Sequence, residues 1–466
     1  MPARRPRDMA LVCVLALFAL VAGDCQPGSS ARSGRIAPLA VSVSHIPDPG
    51  LRTDESIDAF DFVTDESGSL HFVWSARRSD SGKPWNKRTE VWYQRGDQGG
   101  TRWTRPFRLE AEQGWGAGPR IVIAGDRLHV LFGYSLRHWV SEDRGGTWSA
   151  LPMLIEGHQL GAKSFDLLSL GDGSLLVAFL APGLPLDNAT PNYSSALYVM
   201  RWSENGTSTP RALVQVDHGF VNPPTPRLAL HRDRVHVVAG FRELLTRVQM
   251  ANGRSTKVST SRGRLFCTAT AADSVLESWG SVEELPLPSR HGSSLGDLTV
   301  LTAENRLALF FCAYSLYFAQ VDTGRVWSQS TRLTSDREPF TGSYESSSVG
   351  VARAGHRSRL VWIDARYRKS DRSLLNPLGG IPWSDSPEWR NNDVFTARLP
   401  DRLDSLATSG LPEPERLTQP LSQAQSVVIR ALGERFCVAW NGRAKVGHGV
   451  ESYGERPKIF FTLLSR

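Results

Sequence analysis

Seven short segments of this 466-residue chain each place one charged or hydroxyl residue at the start of an apolar run. The residues at that shared position are Asp61, Arg120, Asp166, Arg227, Asp297, Ser348 and Ser426. Guanidinium groups bind carboxylates through two parallel hydrogen bonds. If the seven side chains converge, they form either a clamp for a polar or zwitterionic ligand or a ring of salt bridges that neutralises itself.

The elements that would position these residues are pairs of apolar runs separated by a turn, which predict antiparallel strands. Examples are residues 121–123 with 128–132, and residues 427–429 with 436–440. Seven such pairs recur, but the last unit, which ends at residues 459–461, is short of one strand. Residues 39–43 alternate like a strand, and we expect them to supply it, because closure removes an open sheet edge.

The turns of these units carry a second repeated pattern, clearest at residues 141–148, which read Ser-Glu-Asp-Arg-Gly-Gly-Thr-Trp. We expect the Ser141 and Asp143 oxygens to accept backbone N–H groups and close a tight turn. Gly145 and Gly146 are expected to supply positive φ at little cost, and Trp148 is expected to be substantially buried between sheets. Weaker copies lie at 97–103, 203–207 and 322–327. Strand, turn and Trp in this recurrence predict a β-propeller.

The octapeptide resembles the Asp-box, or bacterial neuraminidase repeat, of sialidase-like β-propellers. This resemblance implies an all-β fold of four-stranded antiparallel blades. The strand pairs favour seven blades, and the six blades of sialidases are the alternative. The resemblance also implies a site in which three arginines bind the substrate carboxylate, a tyrosine with a glutamate partner is the nucleophile, and an aspartate is the acid/base.

Three residues match the catalytic part of that implied site. Tyr344 and Glu345 open a predicted inner strand and resemble the nucleophile segment, and Asp61 is the candidate acid/base. Adjacent residues on a strand point to opposite faces. Asp61 or Asp297 is therefore a better partner for Tyr344 than Glu345 is, unless a bulge intervenes.

The carboxylate-binding part matches less completely. Arg120 and Arg227 begin predicted inner strands and resemble two of the three arginines. Asp297 stands where a third would be expected, so the triad is incomplete. With Asp166 and Asp297, the two arginines make up the candidate substrate-binding group of the central pocket.

Long polar insertions supply the remaining candidates. Segments of the type Trp-x-x-Arg or Trp-x-Asp-x-Arg at 74–77, 362–366 and 440–443 each precede such an insertion. Exposed Trp rings suit sugar rings, and loops carry function on rigid scaffolds. Trp383 and Trp389 are therefore predicted to contact a glycan, with packing inside their own loop as the alternative.

The remaining features narrow the class of protein. Three arginines followed by an apolar run over 9–22 predict a signal peptide at residues 1–23 and export to the periplasm or outside the cell, with lipid anchoring at Cys25 disfavoured by Asp24. Without that segment, which holds three Arg and one Asp, the net charge of +7 falls to +5. No pair of cysteines has metal-ligand spacing, no cofactor motif is present, and no basic run with interleaved aromatics indicates nucleic acid.

Together these features predict one propeller domain over residues 24–466, in which residues 24–48 are an extension that closes the ring. The predicted function is to act on or bind carbohydrate, as a sialidase-like glycoside hydrolase or as a non-catalytic scaffold for a glycan or a protein. The predicted ligand is a glycan or another polar molecule. Neither nucleic acid nor stable membrane insertion is expected.

Overall fold

A computed structural model describes the following residues of the chain: 42–47, 56–79, 87–113, 116–155, 161–182, 195–216, 224–251, 254–275, 277–287, 295–303, 306–312, 315–321, 327–334, 348–364, 393–418, 424–442 and 458–464. All of them lie in one compact unit, residues 38–466. Within them the structure is almost entirely β, arranged as seven antiparallel sheets.

The first four sheets follow one another along the chain, and each runs from an inner to an outer strand. Blade 1 is β2 (Ser56–Thr64), β3 (Leu70–Ser79), β4 (Lys87–Gly96) and β5 (Phe107–Gln113). Blade 2 is β6 (Arg120–Ala124), β7 (Arg127–Phe132), β8 (Arg137–Ser141) and β9 (Ser149–Leu151). Blade 3 is β10 (Ser164–Ser169), β11 (Leu175–Pro182) and β12 (Ser195–Ser203), with β13 (Gly206–Thr207) and β14 (Arg211–Val216) both paired to β12. Blade 4 is β15 (Arg227–His231), β16 (Arg234–Ala251), β17 (Arg254–Ala271) and β18 (Glu283–Leu285).

The last three sheets repeat this order. Blade 5 is β19 (Leu298–Ala303), β20 (Arg306–Cys312), β21 (Leu316–Val321) and β22 (Thr331–Arg332). Blade 6 is β23 (Val349–Ala354), β24 (Arg357–Asp364), β25 (Asp393–Leu399) and β26 (Glu415–Arg416). Blade 7 is β27 (Ser426–Leu432), β28 (Arg435–Gly442) and β29 (Lys458–Leu464), completed by β1 (Val43–His45). The helical turns are Ala272–Ser274 and α1 (Ser405–Ser409).

The seven inner strands form a closed ring, because each contacts the inner strand of the next blade and β27 contacts β2. The prediction of a seven-bladed propeller is confirmed, and with it the resemblance to sialidase-like propellers at the level of fold. The alternative of six blades is wrong. The hairpin of β16 and β17, 18 residues in each strand, is longer than any other in the described residues.

An amino-terminal strand closes the ring as predicted, but the described strand is Val43–His45 and shares only Val43 with the predicted residues 39–43. Val43 pairs with Thr462 and His45 with Phe460, so β1 is the outer strand of blade 7. The Thr462 hydroxyl also donates to the Ser42 carbonyl at 2.9 Å. The pairing is described from residue 42 onward; residues 39–41 lie outside the described part.

Apolar residues on facing sheets bury the blades against each other, as the two-faced strands require. Between blades 1 and 2 the core includes Val73, Tyr93, Val130 and Phe132, all at most 2% exposed. Comparable clusters fill the junctions of blades 2 with 3, 3 with 4, 4 with 5, 6 with 7 and 7 with 1. Buried Cys267 and Cys437 belong to these layers, Cys312 is also buried, and all three are free thiols.

The Asp turn of residues 141–148 has the hydrogen bonds expected of it, but its positive φ angles fall on Arg144 (+56°) and Gly145 (+88°) and not on Gly146. Asp143 accepts the Thr147 backbone N–H at 2.7 Å and the Thr147 hydroxyl at 2.8 Å, and the Ser141 hydroxyl accepts the Gly145 N–H at 2.7 Å. Trp148 packs edge-on against Tyr93 of blade 1, with ring centroids 4.7 Å apart. Trp148 is only half-buried, so the expectation of substantial burial is met in part.

The related turn at 97–103 repeats this geometry one junction earlier. Asp97 accepts the Thr101 N–H at 2.7 Å and its hydroxyl at 2.8 Å. Trp103 lies edge-on to Phe461 of blade 7, 5.5 Å away. Each of the two turns therefore places its Trp against the preceding blade, although one has an inserted residue. Residues 322–326 of a third copy lie outside the described part, and the 203–207 copy is a plain β-hairpin turn.

Candidate ligand site

Carboxylates at the shared position of the inner strands bind the backbone of the next blade. Asp61 of blade 1 accepts the N–H of Ile121 at 3.4 Å. Asp166 of blade 3 accepts the N–H of Leu228 at 2.9 Å, and Asp297 before blade 5 accepts the N–H of Val349 at 3.5 Å. These residues act first as links between blades.

The remaining junctions are linked by other donors and acceptors. Ser348 shares its hydroxyl with the Val427 carbonyl at 3.3 Å and N–H at 3.2 Å. Arg227 donates from Nε to the Leu298 carbonyl at 2.7 Å. The blade 7 to blade 1 junction uses Asn441, which the sequence reading did not single out and which donates to the Ile57 carbonyl at 2.8 Å.

A second residue missed from the sequence, Arg430, also spans the blade 7 to blade 1 junction. It donates to Asp61 Oδ1 at 2.7 Å and to the Phe62 carbonyl at 3.1 Å. Asp61 is 3% exposed, and Oδ1 also accepts the Phe62 N–H at 2.9 Å. The carboxylate of Asp61 is thus held from several sides within the wall of the ring.

Arg120, at the blade 2 to blade 3 junction, departs from this pattern. Its guanidinium makes no hydrogen bond to any residue in the described ranges, and its nearest carboxylate oxygen, Asp61 Oδ2, is 3.9 Å away. Its side chain is nevertheless only 18% exposed. Burial first, and then the positive charge of Arg227, lower the pKa of the Arg120 guanidinium from its ordinary value. A desolvated cation without a close partner is the electrostatic condition that favours binding an anion.

Arg120 faces a cavity of about 560 Å³ at the mouth of the central tunnel, where the inner strands begin. Five of the seven residues at the shared position line it: Arg120, Arg227, Asp297, Ser348 and Ser426. The structure thus brings both candidate arginines and the candidate Asp297 to one cavity. The other two candidate aspartates, Asp61 and Asp166, do not line it.

The Arg227 and Asp297 side chains form an ion pair across the blade 4 to blade 5 junction. Nη2 of Arg227 lies 3.0 Å from Asp297 Oδ1, and the other carboxylate oxygen accepts the Ser348 hydroxyl at 3.1 Å. Arg227 is therefore held in place and largely neutralised. Of the candidate pair, Arg120 is the arginine that retains hydrogen-bonding capacity for a ligand.

Three further lining residues were missed because they lie outside the repeated position. Lys163, just before β10, places its ammonium 4.6 Å from the centre of the Tyr134 ring, which follows β7. Asp58 occupies a bulge in β2 and pairs with Arg77 at 2.6 Å. The cations Arg120 and Lys163 give the cavity a positive excess, since Asp58 and Asp297 are already paired.

The candidates Tyr344, Glu345, Trp383 and Trp389 lie outside the described residues. The chain around them can still be placed by its ends. Ile363 donates its N–H to the Ser348 carbonyl at 3.0 Å, and Asp364 pairs with Asp393. The insertion of residues 365–392 therefore leaves and re-enters blade 6 at the end where Ser348 lines the cavity.

Metal sites and membrane-spanning helices are two further features for which the described residues can be examined. No group of three or more His, Cys, Asp or Glu side chains there is arranged to hold a metal ion. No helix among those residues is long and apolar enough to cross a bilayer.

No protein-family model and no curated protein matches the chain. Among solved structures, a protein of unknown function from Dyadobacter fermentans is 14% identical, with a TM-score of 0.42 and coverage of 91% of this chain and 98% of that one. A Trypanosoma rangeli sialidase is 9% identical, with a TM-score of 0.42 over 91% of this chain and 60% of that one. A Penicillium chrysogenum alpha-L-arabinanase is 15% identical, with a TM-score of 0.39 over 74% and 92%. At these values the comparisons assign no role to any residue of this chain.

Proposed function

We propose that this protein binds a carbohydrate that carries a carboxylate, and that the binding site is the cavity at the tunnel mouth. The observation that carries the proposal is Arg120, a largely buried guanidinium at the blade 2 to blade 3 junction that has no hydrogen-bond partner in the described ranges. A ligand carboxylate would accept hydrogen bonds from the Arg120 guanidinium, for which the described residues supply no acceptor.

The rest of the lining suits a sugar better than an apolar acid. Ser164, Thr225, Gln425 and Ser426, whose side chains carry hydroxyl or amide groups, also line the cavity, and such groups both donate and accept hydrogen bonds. A volume of about 560 Å³ falls within the range of small-molecule sites, about 300–1,000 Å³. Lys163 and the Tyr134 ring add a second cation and an aromatic face on one side.

Binding rather than hydrolysis is the better-supported activity of the described residues. Hydrolysis of a glycoside uses two carboxyl groups in different protonation states, or a tyrosine with an acid. The described carboxylates of the cavity, Asp58 and Asp297, are each engaged by an arginine at 2.6 and 3.0 Å. Asp61, the candidate acid/base, is enclosed by Arg430 and backbone N–H groups.

A sialidase-like hydrolase is the second candidate, and one observation favours it. Ser348 lines the cavity, and Tyr344 and Glu345 shortly precede it in the chain. In that case Tyr344 would attack the anomeric carbon, Arg120 would hold the carboxylate, and Asp58 or Asp297 would be the acid within the cavity. Trp383 and Trp389, in the insertion that starts at the same end of blade 6, would contact the glycan in either case.

The direct test is calorimetric titration with glucuronic acid and N-acetylneuraminic acid, with glucose as the neutral control. We expect saturable binding of an acidic sugar alone, weakened about 10-fold to 100-fold in Arg120→Met, since hydrogen bonds to charged groups are worth about 1.5–3 kcal/mol. Arg402→Met, at a side chain 84% exposed and remote from the cavity, is the matched control. Equal binding of glucose, or full affinity in Arg120→Met, would overturn the proposal.

A fluorogenic sialoside separates the two candidates. The binding proposal predicts no turnover, and the hydrolase predicts turnover that is abolished in Tyr344→Phe. Loss of glycan binding in Trp383→Ala or Trp389→Ala, without turnover in the parent, would support the scaffold.

The proposal extends to where the protein acts. Residues 1–23 are proposed to be a signal peptide and residues 24–466 the exported propeller domain. Amino-terminal sequencing of protein recovered from the periplasm or medium would test this, with Asp24 expected as the first residue. An unprocessed terminus on the recovered protein would contradict it.

A further inference from the structure

A second cavity, of about 190 Å³, lies between blades 1 and 2. The two cavities share four lining residues, Asp58, Ala59, Gly116 and Gly118. They are therefore neighbouring spaces, a larger part at the tunnel mouth and a smaller part between blades 1 and 2. We call the smaller part the radial cleft.

The entrance of the radial cleft is formed by a local irregularity of the inner strand. The register of β2 against β3 shifts between Ile57 and Ala59, which leaves Asp58 as the extra residue of a β-bulge. A bulge turns its side chain away from the regular alternation. Asp58 is thereby directed to Arg77, 2.6 Å away, and both side chains stay partly exposed at 24% and 18%.

The walls of the radial cleft are apolar and its inner boundary is backbone. Val91 and Phe132 are 2% and 1% exposed and form the sides. A Cβ on Gly118, just before β6 of blade 2, would lie 2.4 Å from the Cβ of Ala59 in blade 1, closer than real Cβ contacts allow. The two blades thus approach closely at Gly118, and the space that remains is bounded by the Asp58–Arg77 pair and Thr89.

These polar groups match a pair of neighbouring hydroxyls rather than a charge. The carboxylate accepts hydrogen bonds, the guanidinium donates them, and a threonine hydroxyl does both. The ion pair has no net charge, so it does not select an anion. A volume of about 190 Å³ is roughly six times the ~30 Å³ that one water occupies in the liquid, which is room for part of one sugar unit.

We propose that the radial cleft is a second subsite, which takes a neutral, hydroxyl-rich unit joined to the acidic sugar bound at Arg120. The inference rests on the proposed function and makes it more specific. The ligand is then an oligosaccharide with an acidic unit at the tunnel mouth and a neutral neighbour directed between blades 1 and 2.

The test compares each acidic monosaccharide with a disaccharide that contains it: glucuronic acid with cellobiouronic acid, and N-acetylneuraminic acid with sialyl-galactose. Calorimetry of the whole protein gives the ratio of the two dissociation constants. In the series that binds more tightly, we expect the disaccharide to have a dissociation constant about tenfold lower than that of the monosaccharide, which corresponds to about 1.4 kcal/mol. Thr89→Phe, which fills the cleft, should bring the ratio to about one while affinity for the monosaccharide stays unchanged. Arg77→Met, which removes the donor of the cleft, should also bring the ratio to about one, but it leaves the Asp58 carboxylate unpaired and should weaken binding of the acidic monosaccharide as well.

Thr207→Phe, at an exposed position in blade 3, is the matched control and should leave the ratio at the wild-type value. A wild-type ratio of one, with the monosaccharide still bound through Arg120, would overturn the subsite and leave the proposed function intact. A ratio that survives both Thr89→Phe and Arg77→Met would also overturn it. Failure of every acidic sugar to bind would instead overturn the proposed function, and the subsite with it.

Discussion

Asp61 of the first blade is hydrogen-bonded to Arg430 of the seventh at 2.7 Å, whereas Arg120 of the second approaches the same carboxylate only to 3.9 Å. Arg430 is held there by a second bond, to the Phe62 carbonyl at 3.1 Å. The two arginines thus lie on either side of one buried acceptor, and Arg430 takes the closer position. By occupying Asp61, Arg430 leaves the donors of Arg120 to the cavity.

Replacement of Arg430 by Met should therefore lower both ligand affinity and stability. Asp61 would then draw Arg120 into a close ion pair, and we expect affinity for an acidic sugar to fall about tenfold or more. The buried carboxylate would also lose its best partner, at a cost of about 1–3 kcal/mol of unfolding free energy. Calorimetric titration and urea denaturation measure the two effects. An Arg430→Met protein with unchanged affinity would show that Arg120 does not depend on this arrangement.

Alanine substitution at two turn glycines distinguishes the cost of backbone strain from the cost of crowding between blades. Gly145 has φ of +88°, and a Cβ there would collide with the Tyr93 hydroxyl of blade 1. Gly173 has nearly the same φ, +80°, but open space around it. Gly173→Ala should cost about 1–2 kcal/mol from its backbone conformation alone. Gly145→Ala should cost about 1–3 kcal/mol more from overpacking, as measured by urea denaturation, and equal losses would contradict the contact.

A buried histidine pair predicts acid lability. His129 Nδ1 and His138 Nε2 are 2.9 Å apart, and both rings pack against Trp202 of blade 3. Burial lowers the pKa of His129 to about 4 and that of His138 to about 3. Both pKa values lie below the 6.5 of an unfolded chain, so the unfolded state binds more protons in between. Stability should be complete above pH ~6.5 and should fall as the pH drops toward 4.

Melting temperatures measured from pH 7 to pH 4 would test this expectation. The double variant His129→Leu with His138→Leu should lose less stability over that interval than the parent. Part of the dependence should remain, because burial also lowers the pKa of His236 to about 4. His45→Gln, at an exposed residue of β1, is the control and should keep the parental profile. Parallel curves for parent and double variant would rule the pair out as the cause.

Ring closure can be tested by truncation. Deletion of residues 24–45 removes β1 and exposes the β29 edge, so we expect a much lower melting temperature or aggregation. Deletion of residues 24–37 ends before β1 and should leave the melting temperature near that of the parent. Scanning calorimetry with light scattering distinguishes the two. An unchanged melting temperature after the longer deletion would mean that β1 contributes little to closure.

The fold was readable from the sequence because its signals are local and repeated. Asp143 and Thr147 are four residues apart, and their hydrogen bonds depend only on the turn between them. The seven pairs of apolar runs are similarly local, so they indicated the blades without knowledge of the contacts between them. The closing strand at the amino terminus was predicted because the last unit was one strand short, and not because of any motif.

The site was only partly readable, since its contacts are long-range. The position shared by the seven segments indicated that Arg120 and Arg227 lie near each other, and both line one cavity. The role of Arg120, however, depends on Arg430, which lies 369 residues from Asp61 in the chain. The carboxylate that reaches the cavity in blade 1 is Asp58 rather than Asp61, because a one-residue bulge displaces it. Neither a bulge nor a competition between two arginines leaves a pattern in composition or spacing.

The pairing of β1 with β29 also sets the order in which the molecule can be completed. The hydrogen bond from Thr462 to Ser42 joins residues 420 apart, and bringing such distant points together costs on the order of 5 kcal/mol of chain entropy. During synthesis β1 is made before all the other strands, and its partner β29 is made last. Six blades can therefore stack before the seventh is complete. The seam between the two ends is then the slowest contact to form, and the first that thermal fluctuation should open.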